Sequence, residues 1–108
     1  MAYTYRFYVG LNTDKDGHVA PDIVAARLRA AEAHLLHAEY ALSGFTVLPA
    51  QGAWLDPHGG VTREESLVYE VVSEVRQPAR RIADALKSVF NQHVVLYTMS
   101  KADEFDVV

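Results

Sequence analysis

Three observations predict a ferredoxin-like α+β sandwich with the element order βαββαβ. Residues 3–11 alternate in the manner of a strand, two later stretches carry apolar residues at helical spacing, and two extended runs lie between those stretches. Both helices would then cover one face of a four-stranded antiparallel sheet with strand order 4-1-3-2. The second and third strands would form an elongated hairpin.

The first strand places Tyr3, Tyr5, Phe7, Val9 and Leu11 on one face and Thr4, Arg6, Tyr8 and Gly10 on the other. Asn12 to Gly17 holds residues that turns favour. Pro21 suits the first turn of a helix, where its missing N–H costs nothing. From there Val24, Leu28, Ala31, Leu35, Ala38 and Leu42 form one apolar stripe, which Ser43-Gly44 ends. Phe45 to Leu48 is the second strand, closed by Pro49; a proline there marks a sheet edge. Ser66 to Val75 is the third strand. Pro78 opens the second helix, with the stripe Ile82, Leu86, Val89 and Phe90, and Asn91-Gln92 stops it. Val94 to Met99 closes the sheet. Residues 1–100 thus read as one domain and 101–108 as an acidic, fraying tail.

At 108 residues and 50% hydrophobic composition, the chain suffices for one packed core. A net charge of −4 argues against broad nucleic-acid binding, and Glu70 and Glu74 stand where an RNA-binding sheet needs basic and aromatic residues. Without cysteine, the chain has no disulfide, thiolate chemistry or Cys-ligated metal. The first residues carry neither a basic n-region nor a long apolar run, and no stretch approaches the roughly 20 residues of a membrane span. The expectation is a cytoplasmic protein.

Helices on one face leave the other open. By alternation that face carries Arg6, Tyr8, Glu64, Ser66, Val68, Glu70 and Val72, with Arg6 and Glu70 placed to pair. Its mixed character fits a homodimer or higher closed oligomer, which Val72→Lys should dissociate by placing a charge at the seam.

At Gly44-Phe-Thr-Val47, Gly52-Ala-Trp54, Arg63-Glu-Glu-Ser66 and Phe90-Asn-Gln92, the chain resembles a poorly characterised family of small α+β proteins. Its members are secreted bacterial proteins and actinobacterial phage proteins. They share Gly-x-Thr-Val, Gly-x-Trp, Glu-x-Ser and aromatic-x-Gln patterns, here spread between Val9 and Val95. The resemblance implies the fold above and no particular reaction. The missing leader sets this chain apart from the secreted members.

Several residues could carry chemistry. The connection from Pro49 to Glu65, about 17 residues, is long for a hairpin, as functional loops often are. In it Trp54 could offer a platform to a ring-bearing ligand while Gln51 and Arg63 read polar groups; alternatively Trp54 plugs the core edge. Glu64 and Ser66 project from the same face as Arg6 and Tyr8, as a ligand-binding set or as a cross-strand network. His34 and His37, near Glu39, imitate metal-ligand spacing, but no second cluster completes a site, so no metal or cofactor is expected. His58, in Asp56-Pro-His-Gly-Gly60, reads as part of a turn.

Three functions are compatible with these residues. The first is a non-enzymatic homo-oligomer binding a small polar or anionic ligand at the open face or under the hairpin, in one version a phage protein that sequesters a host nucleotide signal. Its contacts would be Arg6, Tyr8, Gln51, Trp54, Arg63, Glu64 and Ser66. The second is an enzyme with Glu64 as acid or base and Tyr8 and Ser66 as polarising donors. The third is a protein-binding module using the edge strand or Phe105.

Overall fold

A computed structural model of the chain describes residues 2–37, 44–55 and 57–102, the side chain of Trp54 aside. The first strand, β1 (Ala2–Gly10), turns Tyr5, Phe7 and Val9 fully inward and leaves Tyr8 exposed. The segment expected as a plain turn closes into a two-stranded ribbon, β2 (Thr13–Asp14) with β3 (Gly17–His18). Gly17 adopts φ +114°, which a side chain would strain.

Helix α1 (Pro21–Leu35) begins on its proline as expected but stops well before Ser43-Gly44. Leu36 takes φ −90° and ψ 6°, outside helical geometry, and residues 38–43, with the rest of the expected stripe, lie outside the described residues. Only Ala31 and Leu35 of α1 are buried, whereas Leu28 of the expected stripe is exposed.

The hairpin differs most from expectation. Strand β4 (Thr46–Leu55) runs straight through Pro49, and β5 (Val61–Ser73) begins five residues before Ser66. Their ladder is continuous from Thr46 opposite Glu70 to Leu55 opposite Val61, so most of the supposed loop is strand. Proline is tolerated because β4 is an edge, where a missing N–H faces solvent. His58 and Gly59, the latter at φ +87°, lie in the connecting turn.

Helix α2 (Ala79–Val89) buries Ile82, Ala83 and Leu86; Phe90 follows at its cap, fully buried, and Asn91 at φ 51° ends the run. Strand β6 (Leu96–Ala102) starts two residues later than expected. It takes in Lys101 and Ala102, assigned above to the tail, which pair with Tyr3 and Ala2.

The sheet order is β4-β5-β1-β6, every pair antiparallel. Tyr5, Phe7 and Val9 of β1 and Leu67, Tyr69 and Val71 of β5 meet Ala31 and Leu35 of α1 and Ile82, Ala83, Leu86 and Phe90 of α2 in one core. Tyr69 stacks obliquely on Phe90 and Phe45. Burial, with the nearby Glu32 charge adding, pushes its phenol up to about 12, so it stays neutral. The Tyr5 hydroxyl accepts from the buried Gln77 N–H at 2.8 Å. On the helix-free face the register lines up Leu48, Val68, Tyr8 and Leu96 across all four strands. Beside them run Thr46, Glu70, Arg6 and Thr98.

Candidate functional site

Strand β1 ends at Gly10, yet β5 beside it continues, with β4 as its partner. The Leu11 N–H still donates to the Glu65 carbonyl at 2.9 Å; beyond that bond β4 and β5 pair with each other alone, as an arm. Strand alternation puts Gln51, Ala53, Arg63 and Glu65 on one side of the arm and Gly52, Glu64 and Ser66 on the other. Asn12 crosses the base, its Oδ1 accepting from the Glu65 N–H at 3.1 Å. Together these elements enclose an open groove of about 380 Å³, lined by Asn12, Gln51, Gly52, Ala53, Arg63, Glu64 and Glu65.

Of the three adjacent charged residues, Arg63 and Glu65 are exposed and Glu64 is half-buried. Arg63 is exposed and forms no ion pair with a described residue. The half-buried Glu64 accepts a 2.7 Å hydrogen bond from Thr13 Oγ1 and a long one, 3.5 Å, from Ser66 Oγ. Among the described residues, no cation answers its charge. Gly52 stands directly opposite, and a Cβ there would lie 3.4 Å from Ser66 Oγ and 3.6 Å from Glu64 Cγ. A larger side chain would crowd the pair.

Thr13 reaches Glu64 because a knot of polar contacts fixes the ribbon. Gln92 Nε2 donates to the carbonyls of Thr13 and Phe90 at 3.0 Å and of Gly10 at 3.4 Å. The Lys15 N–H donates to the Asn91 carbonyl, and Asn91 Nδ2 to Asp16. Arg27 of α1 binds Asp14 Oδ2 at 2.8 Å and the Phe90 carbonyl at 3.2 Å. The Asp16 N–H, then Arg27 and Asn91, hold the Asp14 carboxyl below its ordinary value of 3.8. The aromatic-x-Gln pattern, Phe90-Asn-Gln92, is thus a structural device.

Gln51, Arg63 and Glu64 all line the groove, Gln51 and Arg63 from one side of the arm and Glu64, joined to Ser66, from the other; Arg6 and Tyr8 lie away from it. Arg6 lies opposite Glu70 and is engaged by it, Nε to Oε2, at 2.8 Å. Tyr8 lies opposite Val68, four residues from Glu64, or about 13 Å along the strand. The expected convergence of these two with Glu64 is therefore corrected by register. Trp54 pairs with Thr62 in the ladder, its side chain outside the described residues, as are Glu39 and Phe105. Among the described residues no three His, Asp or Glu side chains could hold a metal ion. Sequence reading missed Asn12, Thr13 and Glu65; a Thr next to a turn gives no sign of a carboxylate partner 51 positions away.

Residues 5–105 match the family described as Protein of unknown function (DUF3574). The chain belongs to this family. No curated protein matches it. Solved structures similar to this DUF3574 chain include a phage SAM lyase in complex with S-methyl-5'-thioadenosine, with TM-score 0.61, 16% identity, and coverage of 93% of this chain and 81% of that one. The periplasmic divalent cation tolerance protein CutA from Archaeoglobus fulgidus follows with TM-score 0.58, 8% identity, and 97% and 87% coverage. The GlnK-ATP complex of B. subtilis gives TM-score 0.56, 14% identity, and 92% and 81% coverage. At such identities the likeness speaks for the fold, a small α+β domain of ferredoxin-like type with two helices on an antiparallel sheet. Among the described residues no helix is long and apolar enough to cross a membrane.

Proposed function

We propose that the protein is a self-associating, non-enzymatic binder of a small polar or anionic ligand, held at the base of the β4–β5 arm. The groove carries this reading: it offers about 380 Å³, within the range of small-molecule sites, and Arg63 is left without an ion-pair partner among the described residues. A guanidinium suits a phosphate or carboxylate, to which it donates in a fixed fork. Glu64, held by Thr13, suits a hydroxyl or amino donor, and Gln51 serves either type. A ligand bearing both an anion and several donors belongs to the nucleotide class. Two of the similar folds support testing that class first, because one was solved with S-methyl-5'-thioadenosine and one with ATP.

Arg6 drops out of this reading because Glu70 engages it, and Ser66 acts through Glu64. Sequestration of a nucleotide signal is the narrower version, and it requires binding without turnover. Isothermal titration of the full chain with ATP, AMP and S-methyl-5'-thioadenosine tests both. The expected result is micromolar binding of at least one ligand, recovered unchanged by mass spectrometry. Arg63→Ala should weaken a phosphate-bearing ligand by about tenfold, or about 1.4 kcal/mol. Absence of heat for every compound would overturn the reading. Turnover that disappears in Glu64→Gln would replace it with the enzymatic one.

A further inference from the structure

Apolar exposure on the helix-free side is uneven. In the row that crosses the sheet, Val68 is 8% exposed, Tyr8 37% and Leu48 44%, whereas Leu96 at the β6 end is 63% exposed. Exposure in this row is greatest at its β6 end. The centre of this face carries the Arg6–Glu70 pair, whose side chains are 43% and 26% exposed. A second sheet laid over it would strip water from both charges, a cost their attraction only partly offsets.

The two sheet edges differ as well. Midway along β4 stands Pro49, which offers no N–H and obstructs an added strand. The β6 strand, Leu96 to Ala102, contains no proline and one charge, Lys101, near its end. Among the described residues no strand pairs with its outer side. An apolar edge of this kind is a template for another strand. Next to it, between α2 and the strand, lies a cleft of about 200 Å³ walled by Ala83, Val94, Val95 and Tyr97, with Arg80 and Lys87 from the helix.

We propose that β6 is the docking edge for a second copy of this chain, β6 against β6 in antiparallel pairing about a two-fold axis. The two four-stranded sheets then run on as one. Pro49 explains why the partner presents its own β6. A head-to-tail contact of β6 with β4 would have to pass Pro49 and closes only where its rotation completes a ring, whereas the isologous contact closes at two. Seven residues at about 3.3 Å, with side chains on both faces, make a strip of roughly 23 by 20 Å, or about 500 Å² per copy. The total of about 1,000 Å² stands at the lower bound of specific interfaces, as suits a reversible dimer.

This inference rests on the self-association in the reading above and needs no ligand, so a failed titration leaves it standing. Sedimentation velocity of the full chain from roughly 1 to 200 µM, with amide hydrogen exchange of β6 at both concentrations, tests it. The expected result is a concentration-dependent dimer whose β6 amides exchange slowly when concentrated and faster on dilution. Val94→Lys and Leu96→Lys should each weaken it by about tenfold or more with little change in thermal midpoint, because both side chains are already exposed in the single chain. Three outcomes would overturn it. A monomer at the highest concentration is one. Slow β6 amides at monomeric mass, which would mean that residues beyond Ala102 cover the edge, is another. The third is a dimer that survives both lysines and falls apart with Val72→Lys, which would put the seam on the open face.

Discussion

Strand β5 passes through two environments. Between Leu67 and Val71 it lies between β1 and β4 and under the helices, with Leu67, Tyr69 and Val71 at 7%, 1% and 1% exposure. Between Val61 and Glu65 it has the same partner, β4, in the same ladder, yet Val61, Arg63 and Glu65 are exposed. Backbone pairing is shared; the third layer is not. A two-stranded ribbon alone is marginal in water, so the arm draws its persistence from the half anchored in the core. Stability is concentrated in one half of the strand, and the other half carries side chains that the core does not constrain.

The sharpest break of this contrast is Phe90→Ala. That side chain is fully buried against Tyr69, and its loss should cost about 3–5 kcal/mol in urea unfolding. Leu55→Ser at the arm tip, where the residue is 78% exposed, should stay within about 0.5 kcal/mol. Equal costs would refute the division.

Gln92→Ala should fall between them. It removes one donor from three part-buried carbonyls, of which that of Phe90 keeps Arg27, at a cost of about 1–3 kcal/mol, and it frees Thr13 from the position in which it holds Glu64. Denaturant unfolding reads the stability, and the Glu64 side-chain chemical shifts read the loosened contact.

Acid gives the smallest and most localised test. Because Asp14 is held below its ordinary value in the fold, the unfolded chain binds its proton first. The contribution is fully present above pH 3.8 and is lost as pH falls through the lower folded-state value. Asp14→Asn should therefore be less stable than wild type at neutral pH, with the gap closing in strong acid. A gap independent of pH would show that the charge of Asp14 is not what matters.

The core could be read from the sequence because it is periodic. Tyr5, Phe7 and Val9 alternate, Ile82, Leu86 and Phe90 recur at four, and both patterns point inward in the structure. Where periodicity was weak the reading failed. Helix α1 buries only two side chains, and its expected stripe overran its end. Pro49 marked the sheet edge, but it also looked like a terminus, whereas an edge strand can run on through a proline. A ribbon with two residues per strand has no period to detect. Gln51, Arg63 and Glu64 were legible as candidates from their place near the hairpin. Their separation from Arg6 and Tyr8 was not, since alternation gives a residue's face and not its distance along the strand.

Gly10 and Gln92 meet across the knot that fixes the ribbon. A methyl group at position 10 would sit 2.6 Å from Gln92 Oε1, and the amide cannot swing aside without releasing the three carbonyls its nitrogen holds. The two positions, 82 apart in the chain, therefore carry a single heritable constraint. Among descendants of this sequence a change at one opens the other to drift, and the pair should covary as a unit while the arm beside it diversifies.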